Sequence, residues 1–368
     1  MKRRYKVLGV VSMLVVVALS SLARALSHNS PCGIAQALPA GAPSMQAIVY
    51  RCYGSSEVLK LENIAKPAPA DNQVLIKVQA ASVNPLDWHY MRGEPYIMRG
   101  MVGVGAPDSI HMGVDFAGTV AAVGKNVRRF KVGDAVFGGA NGAFGEYVSV
   151  AENRALALKP TNMTFEQAAA VPIAAITALQ ALRDKGKIRP GQKVLINGAS
   201  GGVGTFAVQI AKAFGADVTG VCSTRNLTLV RSIGADHVID YTREDFTQGS
   251  QHYDLILDNV GTHSLSEYRR VLNPLGALIM VGAQDKGKWL GPLSGSISAM
   301  LVAPFVSQKL VFMLAELKPD DLGTLRELMQ AGKLRPVIDR QYRLSEVPEA
   351  IRYLEAGHAR GKVVITLD

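Results

Sequence analysis

The amino-acid sequence predicts an α/β protein that joins a doubly wound parallel sheet to a second, largely β domain. Three observations in the 368-residue chain carry this prediction. Short apolar segments separated by glycine follow Met45, as is typical of β-strands joined by tight turns. From Lys193 onward, apolar strands alternate with helices, which indicates a parallel sheet with helices on both faces. The stretch "NGASGGVG" at 197–204 joins the first of these strands to the first of these helices.

The first 44 residues form a targeting segment rather than part of either domain. A basic start, "MKRRYK", precedes an apolar run at 7–19, and "ARA" at 23–25 offers small residues to a signal peptidase. We expect this segment to attach the protein to a membrane through residues 7–23, or to be removed on export. Because no acidic residue precedes Glu57, a mitochondrial presequence is a further alternative. The linker "SHNSPCGIAQALPAGAPS" is predicted to be unstructured.

Net charge and composition limit the kinds of ligand and structural cross-link that we expect for this protein. Five of the ten net positive charges precede Met45, so the remaining chain carries only +5, which suits an anionic ligand and excludes a strongly basic nucleic-acid surface. The hydrophobic content of 48% is that of a folded protein. The three cysteines, Cys32, Cys52 and Cys222, are widely spaced. We therefore expect small buried or idle thiols, with neither a disulfide framework nor a cysteine-rich zinc lobe.

Residues 45–163 are predicted to form the largely β domain, because helix signals are scarce before Thr164. Its strand segments are "MQAIVYRCYG", "QVLIKVQAASVNP", "DFAGTVAAVG", "GDAVFGG" and "GEYVSV".

Residues 164–302 are predicted to form the parallel sheet, opening with a helix that starts at Thr164 and stops at Gly186. Its strand segments are "KVLIN", "VTGVC", "HVIDY", "YDLILDNVG" and "GALIMVG". Residues 303–368 end in a helix, "SEVPEAIRYLEAG", and a strand, "GKVVITLD". These two elements are too isolated to form a domain, so we expect the segment to return to the first domain.

The glycine-rich turn has the form of a dinucleotide-binding loop in which one glycine is replaced. In such loops the glycines permit a tight bend, a close approach to the pyrophosphate, and packing of the helix on the strand. Gly201 fits the close-approach position and Gly204 the packing position, so Ala199 stands where the first glycine is usual. We expect a dinucleotide whose pyrophosphate lies at the helix N-terminus. The alternative is a turn that is rich in glycine for packing alone.

The end of the second strand indicates which dinucleotide is bound. Enzymes that use NAD place an acidic residue there, about 20 residues beyond the loop, to bind the ribose 2′-hydroxyl. Here the strand runs into "STRN" at 223–226 without an acid, and Asp217 lies at the wrong end of the strand. Arg225 and the adjacent hydroxyls suit a 2′-phosphate, so the sequence favours NADPH. The alternative is that Arg225 only opens a solvated helix.

Seven motifs occur in a characteristic order between Met45 and the last strand. They are "SVNPLD" at 82–87, "GVDFAGTVAAVG" at 113–124, "VGDAVFG" at 132–138, "GASGGVGTFAVQIAKAFGA", "GADHVIDY", "LDNVG" and "GHARGKVVI". With these motifs the chain resembles the medium-chain dehydrogenase/reductases, specifically their zinc-free quinone oxidoreductase branch. The resemblance implies a GroES-like catalytic domain at 45–163, a Rossmann NADP-binding domain at 164–302, a returning segment at 303–368, and a homodimer.

The resemblance also implies where the cofactor is held. The implied contacts are Ser200, Gly202 and Val203 in the loop with Gly201 and Gly204, then Ser223, Tyr241 and Asn259 after successive strands, and His358, Ala359 and Arg360 on the returning segment. Tyr241 would lie against the adenine, and Arg360 would place positive charge near a phosphate. Alternatively, His358 and Arg360 cap the C-terminus of a helix that ends before Gly361.

Zinc ligands of the related alcohol dehydrogenases are missing from this sequence. Those enzymes need a cysteine near the "SVNPLD" position and a Gly-His-Glu where this chain has Gly113-Val114-Asp115. We therefore expect no metal site, and a structural role for Asp115 in its turn.

A hydride acceptor that needs no metal is a quinone or an α,β-unsaturated carbonyl, provided that a donor stabilises the developing negative charge. The resemblance places Asn84 at the site, and "DWHYMRGEPY" supplies His89, Tyr90, Arg92 and Tyr96 as further candidates, of which Tyr90 is the expected donor. Alternatively, His89 and Tyr90 are partly exposed residues of a short helix without a catalytic role. Asp87 is expected to be a helix N-cap. Two other functions stay open: an NADPH-binding interaction protein with little turnover, and an NAD(P)-dependent enzyme of the alcohol dehydrogenase type.

Overall fold

The computed structural model describes residues 2–35, 37–282, 287–289, 291 and 299–367, with the backbone alone for residues 2–12. The strands are β1 (Ser44–Val49), β2 (Lys60–Ala65), β3 (Gln73–Val83), β4 (Asp115–Val123), β5 (Ala135–Gly139), β6 (Tyr147–Ala151), β7 (Leu156–Leu158), β8 (Lys193–Asn197), β9 (Asp217–Cys222), β10 (His237–Asp240), β11 (Tyr253–Asp258), β12 (Leu272–Met280), β13 (Lys309–Phe312), β14 (Ile338–Arg343) and β15 (Lys362–Thr366). The helices are α1 (Lys2–Ser27), α2 (Pro85–Arg92), α3 (Arg99–Val102), α4 (Phe165–Ala169), α5 (Pro172–Leu179), α6 (Gly202–Ala213), α7 (Leu227–Ser232), α8 (Leu265–Arg270), α9 (Pro319–Gln330) and α10 (Val347–Glu355).

A six-stranded parallel sheet forms the second domain, with the strand order β10-β9-β8-β11-β12-β13. The chain begins in the middle of this sheet at β8, builds outward to β10, and then crosses back to β11. The strand order therefore reverses between β8 and β11. Open parallel sheets bind ligands at the carboxyl ends of the strands beside such a reversal. The predicted doubly wound sheet is confirmed.

The parallel sheet is apolar because helices cover it. Four of the five residues of β8 are buried, as expected for a strand with both faces covered. Helices α5 and α6 pack in the same core through small side chains, including Ala175, Ala207 and Ala211, which lie in one cluster with Ile196 of β8. Small residues let the helices approach the sheet closely and position the start of α6 beside the end of β8.

The first domain is built on a seven-stranded sheet in the order β14-β15-β3-β4-β5-β7, with β6 paired to β3. Strand β15 lies between β14 and β3 and runs antiparallel to β3, with Val363 opposite Val83. The returning segment thus supplies two strands of this sheet. Strand β13, which a boundary at residue 302 would assign to the same segment, is instead an edge strand of the parallel sheet.

The cysteines overturn one sequence-based expectation. Cys32 and Cys52 form a disulfide, with their Cα atoms 4.6 Å apart. One cysteine lies in the linker and the other just after β1, and such a lone pair carries no framework spacing that a sequence could reveal. Cys222 is a buried free thiol, as expected. The disulfide fastens the linker to the first domain.

The linker, expected to be unstructured, is bound by Arg99. This side chain is only 1% exposed, and its guanidinium lies over the rings of Tyr53 and Tyr96 at 4.4 and 4.5 Å. Its Nη1 donates to the carbonyl oxygens of Leu26 and His28 at 3.0 and 2.9 Å. Leu26 belongs to the last turn of α1, where carbonyls lack helical partners, so Arg99 caps that helix. Sequence analysis could not reveal this contact, because Arg99 lies about 70 residues from Leu26 and His28 along the chain.

Helix α1 exposes its apolar side chains. Between Met13 and Leu22 the large apolar residues are 51% to 70% exposed. In the described part of the chain, no helix combines the length and the apolar character needed to cross a bilayer. The side chains of the basic residues that precede the apolar run lie outside the described residues.

Candidate active site

The glycine-rich turn connects β8 to α6 at the reversal of the parallel sheet. Gly198 has φ = 78°, a conformation that glycine adopts without steric cost. A Cβ atom at Gly204 would lie 2.0 Å from the carbonyl oxygen of Gly198, so only glycine allows the first turn of α6 to pack on the loop. Gly201 precedes the helix in an extended conformation as its N-cap. The turn thus has the geometry expected of a phosphate-binding loop.

Ala199 replaces the usual first glycine, and the neighbouring strand makes room for it. Its side chain is fully buried. A Cβ at Gly220 of β9 would lie 3.0 Å from the Ala199 Cβ and 2.5 Å from Cγ1 of Val230. The absence of a side chain at Gly220, on the adjacent strand, therefore provides the space that the Ala199 methyl group occupies.

Asn226 joins two of the predicted cofactor contacts. Its Nδ2 donates to Ser200 Oγ at 3.0 Å and to Ser223 Oγ at 3.2 Å, and its side chain is buried. The hydroxyls of the loop and of the end of β9 are thereby held beside each other. Sequence reasoning missed this residue because it considered only which groups would touch the cofactor. No local pattern around Asn226 points to Ser200, which lies 26 residues earlier in the chain.

The returning segment lies against the glycine-rich turn. Gly201 and Gly361 form a parallel β-bridge, and Nη2 of Arg225 donates to the carbonyl oxygen of His358 at 3.2 Å. Predicted residues from the end of β9 and from the returning segment are thus brought together. Arg225 is exposed, as a group that binds a soluble phosphate would be. These contacts bring Arg225, the residue predicted to bind the 2′-phosphate, next to the returning segment.

Three other residues predicted to contact the cofactor lie in different environments. Arg360 is exposed, and its backbone N–H donates to Asp339 Oδ2 at 3.0 Å, while Ala359 packs against the core of the first domain. Tyr241 follows β10, and its side chain is 60% exposed, which leaves the ring accessible for stacking.

Asn259 lies directly at the sheet reversal. Its Nδ2 donates to the carbonyl oxygen of Asn197 at 3.0 Å, which links the ends of β11 and β8. Its Oδ1 is buried and has no hydrogen-bond partner in the described part of the chain. Asp258 beside it accepts from the N–H groups of Val260 and Gly261 at 3.1 and 3.0 Å and so fixes this turn. Asn259 is therefore presented at the position where the resemblance implies a cofactor contact.

Asn84, the predicted catalytic residue, is buried in a polar cluster of the first domain. It is the N-cap of α2, and its Nδ2 donates to Asp115 Oδ2 at 3.0 Å and to Ser82 O at 3.3 Å. Its Oδ1 accepts from Lys362 Nζ at 2.5 Å. Asp115 also accepts from the backbone N–H of Ile173 at 3.0 Å, so it connects two domains rather than serving its own turn alone.

Asp87 is not the helix N-cap that the sequence suggested. It is the third residue of α2, and its Oδ2 accepts from the backbone N–H of Asn84 at 2.7 Å in a capping box. Its Oδ1 is buried and has no hydrogen-bond partner among the described residues. Burial, reinforced by Asp115, raises the pKa of Asp87 to about 7 despite the opposing effects of the Asn84 N–H and of Lys362.

Tyr90 and the other candidate residues on and after α2 differ in their hydrogen-bond, ion-pair and ring contacts. Burial, with a smaller effect of Asp87, raises the pKa of Tyr90, so this phenol stays protonated and can donate. Among the described residues its hydroxyl makes no hydrogen bond. His89 Nδ1 lies 2.7 Å from the carbonyl oxygen of Glu94, and Arg92 pairs with Glu355. Tyr96 lies under Arg99. Among the four candidates, Tyr90 and Tyr96 have hydroxyls that the described contacts do not engage, and the ring of Tyr96 is covered by Arg99.

The absence of a metal site stays a prediction. Within the described residues no three His, Cys, Asp or Glu side chains are grouped so that they could hold a metal ion. At the position of the related zinc ligands the chain instead places Asn84 and Asp115 around an ammonium group.

Comparisons with known proteins match both domains. Residues 70–160 match the family "Alcohol dehydrogenase GroES-like domain", and residues 233–365 match "Zinc-binding dehydrogenase". The mitochondrial NAD(P)H oxidoreductase RTN4IP1 of Mus musculus is 37% identical over 88% of this chain and 89% of its own. The chain belongs to the medium-chain dehydrogenase/reductase superfamily. The resemblance of its motifs to this superfamily is thereby confirmed.

Other members of the medium-chain dehydrogenase/reductases are similar over most of the chain. The chloroplastic NADPH-dependent alkenal/one oxidoreductase of Arabidopsis thaliana is 34% identical over 87% of this chain and 79% of its own. The solved structure of the quinone oxidoreductase from Coxiella burnetii has a TM-score of 0.78 at 32% identity and covers 88% of this chain and 100% of its own. The GroES-like and Rossmann-like folds are both confirmed.

The buried carboxyl of Asp87 predicts a pH-dependent stability. Because the native state holds the proton up to about pH 7, while the unfolded carboxyl releases it near pH 3.8, stability falls as pH rises between these values. Relative to Asp87→Asn, the wild-type free energy of unfolding should fall by up to about 1.4 kcal/mol per pH unit between about pH 3.8 and about pH 7, and level off above that range. Urea unfolding of both proteins at stepped pH measures this difference. A difference that does not vary with pH would contradict the assignment.

Proposed function

We propose that the protein is an NADPH-dependent, zinc-independent reductase that transfers hydride to a quinone or an α,β-unsaturated carbonyl. The observation that carries this proposal is the glycine-rich turn at the reversal of the parallel sheet, bridged through Gly201 and Gly361 to the segment that also supports Asn84. The turn provides the phosphate site, and the cluster beneath it belongs to the catalytic domain.

Each group of residues would have a separate task. The backbone of the glycine-rich turn and the N-terminus of α6 bind the pyrophosphate, and Arg225 binds the 2′-phosphate. NADPH supplies the hydride when it is bound. The Tyr90 hydroxyl donates a hydrogen bond to the carbonyl oxygen as negative charge develops there. Asn259 holds a buried acceptor oxygen, Oδ1, toward which a hydroxyl or amide N–H of the cofactor would donate after a small adjustment of the side chain.

Relatives support this substrate class by their names. One is a quinone oxidoreductase, and another is an alkenal/one oxidoreductase that depends on NADPH. The two competing functions are an NADPH-binding interaction protein with little turnover and an NAD(P)-dependent enzyme of the alcohol dehydrogenase type. Alcohol oxidation without a metal would need another group to take up the alcohol proton and stabilise the alkoxide, and Asn84 has no ionisable proton. The reductase is therefore favoured.

Acceptor-dependent oxidation of NADPH tests the proposed reaction. The protein should consume NADPH, followed by its absorbance, when it is given members of a panel of benzoquinones, naphthoquinones, enals and enones. Primary and secondary alcohols with NADP⁺ serve as the matched panel for the alternative reaction. Tight NADPH binding with no oxidation by any acceptor would favour the interaction protein, whereas activity confined to alcohols would favour the dehydrogenase.

Replacing Arg225 tests the preference for NADPH. Arg225→Ala should raise the KM for NADPH about 10-fold or more and leave that for NADH nearly unchanged, because only NADPH carries the phosphate that the guanidinium would bind. Arg231→Ala is the control, since Arg231 is an exposed arginine of the adjacent helix α7. Equal effects of Arg225→Ala on both cofactors would rule out the phosphate contact.

We further propose that the N-terminal segment directs the protein to an oxidising compartment. The Cys32–Cys52 disulfide supports this, because disulfides persist where thiols are not kept reduced. The exposed apolar side chains of α1 support attachment of this segment to a membrane during transport to that compartment. The relative RTN4IP1 is named as mitochondrial, which supports the mitochondrial alternative for this segment.

Analysis of the mature protein decides between these routes. If an oxidising compartment is reached, the mature N-terminus should lie before Cys32, and alkylation without reductant should modify Cys222 alone after denaturation. Three alkylated cysteines, or a mature chain that starts beyond Cys32, would reject the proposed route. The measurement is N-terminal sequencing with mass spectrometry of membrane and soluble fractions from the native source.

Homodimerisation remains a proposal from the family resemblance. Strand β13 is an edge strand of the parallel sheet and could pair with a second copy. The exposed apolar residues near it in the chain, Met300, Leu301, Phe305 and Leu314, are 69% to 87% exposed. Such a surface is typical of a subunit interface.

A further inference from the structure

Lys362 is a buried lysine at the centre of the polar cluster that contains Asn84. It begins β15, and its side chain is 3% exposed. Its Nζ lies 2.5 Å from Asn84 Oδ1, 3.3 Å from the carbonyl oxygen of Val83 and 3.5 Å from Asp115 Oδ2. An ammonium group has three protons, and three oxygens surround it here. The lysine therefore has no hydrogen-bonding capacity left for solvent.

The position of Lys362 determines how the Asn84 amide is oriented. A lysine can only donate, so the amide oxygen must face it. The amide nitrogen is then directed to Ser82 O and Asp115 Oδ2, both of which can only accept at this site. Without the ammonium group, the amide oxygen would lose its donor, and only the two acceptors would still hold the amide nitrogen. Lys362 and these acceptors thus fix the rotamer and the orientation of the amide together.

Lys362 also links Asn84 to the glycine-rich turn. Gly361, the residue before it, forms the bridge to Gly201. A Cβ placed at Gly202, the first residue of α6, would lie 3.3 Å from Cδ of Lys362, so the lysine stem passes directly beside the helix start. One residue therefore contacts the phosphate-binding turn along its stem and the predicted catalytic amide at its tip.

The charge of Lys362 balances the buried carboxylate of Asp115, while the neighbouring buried carboxyl of Asp87 keeps its proton up to about pH 7. Asp115 is fully buried and Asp87 is 1% exposed, and neither has another cation among its described hydrogen-bond or ion-pair partners. Removing the cation would leave a buried charge uncompensated, which is costly. If Lys362 had only a structural role, its positive charge alone would be enough. A positioning role also requires its specific contact with Asn84.

We propose that Lys362 is a positioning residue for hydride transfer, holding the Asn84 amide in a fixed orientation and in register with the start of α6. The proposal rests on the reductase function proposed above. It predicts that Lys362 affects turnover mainly through Asn84 and has little effect on the affinity for NADPH.

A double-mutant cycle tests this dependence. Lys362→Met should lower kcat by about 100-fold, since a displacement of about 1 Å can cost that much, while the Kd for NADPH changes less than about threefold. The double variant with Asn84→Ala should lose no more activity than Asn84→Ala alone. Thr366→Val, which removes a hydrogen bond elsewhere on β15, is the control and should remain close to wild type. Additive losses in the double variant, or an unchanged kcat in Lys362→Met, would overturn the proposal.

Lys362→Arg distinguishes the effect of the positive charge from the effect of the contact with Asn84. It also keeps the proposal testable if Lys362→Met fails to fold. It keeps the positive charge, so a purely structural role predicts full activity, but its planar fork cannot reproduce a single short contact with Asn84. We expect the melting temperature of Lys362→Arg to lie within a few degrees of the wild-type value, and its kcat to be at least about 10-fold lower. Full activity in this variant would show that charge alone suffices and would overturn the proposal.

A readout without cofactor keeps this inference distinct from the proposed function. The side-chain amide resonances of Asn84, assigned by their loss in Asn84→Ala, should shift and broaden in Lys362→Arg, because the amide loses its fixed donor. Unchanged resonances would refute the positioning role even if the protein reduces quinones. Shifted resonances in a protein with no acceptor-dependent oxidation would support the positioning of Asn84 and reject the reductase.

Discussion

The buried carboxylate of Asp115 is the constraint on which the arrangement of the two domains depends. It accepts hydrogen bonds from Ser82 of β3, from Asn84 at the start of α2, and from the backbone of Ile173 at the start of α5, and it faces the ammonium group of Lys362. A charge with no access to water must satisfy its hydrogen bonds inside the protein, so these four segments have to meet at one point. The catalytic sheet, the entry to the Rossmann-like domain and the returning strand are thereby held in register.

Much of the fold could be predicted because its signals are local. Buried parallel strands are continuous apolar runs, helices end at glycine, and a strand-glycine-helix sequence has few folded solutions, so "KVLINGASGGVGTF" indicated its own structure. Gly204 could even be given its packing role from spacing alone. Strand β13 was harder to assign, because an edge strand of four residues, after a segment that is not described throughout, carries little periodic signal.

The site was predicted less completely because its remaining parts are long-range. Asn226 acts by holding the hydroxyls of Ser200 and Ser223 together, and nothing in its neighbours along the chain reveals that partner. Arg99 appears in the sequence as one more basic residue, yet it is buried against the linker and caps a helix that ends about 70 residues earlier. Lys362 was visible only as part of the "GHARGKVVI" motif. Burial and partner choice for such charged groups follow from the assembled fold, which composition and spacing do not encode.

Strand β15 also imposes an order on how the protein is made. Its Lys362 contacts Asn84 across 278 residues of chain, and its backbone pairs with β3 in the middle of the catalytic sheet. Translation proceeds from the N-terminus, so the Rossmann-like strands leave the ribosome while β3 and β14 still lack the strand that joins them. The parallel sheet can therefore form before the catalytic sheet is complete. During that interval residues 80–83 of β3, which pair with β15, form an unpaired stretch of sheet edge to which other chains can pair, whereas residues 73–77 are already covered by β6.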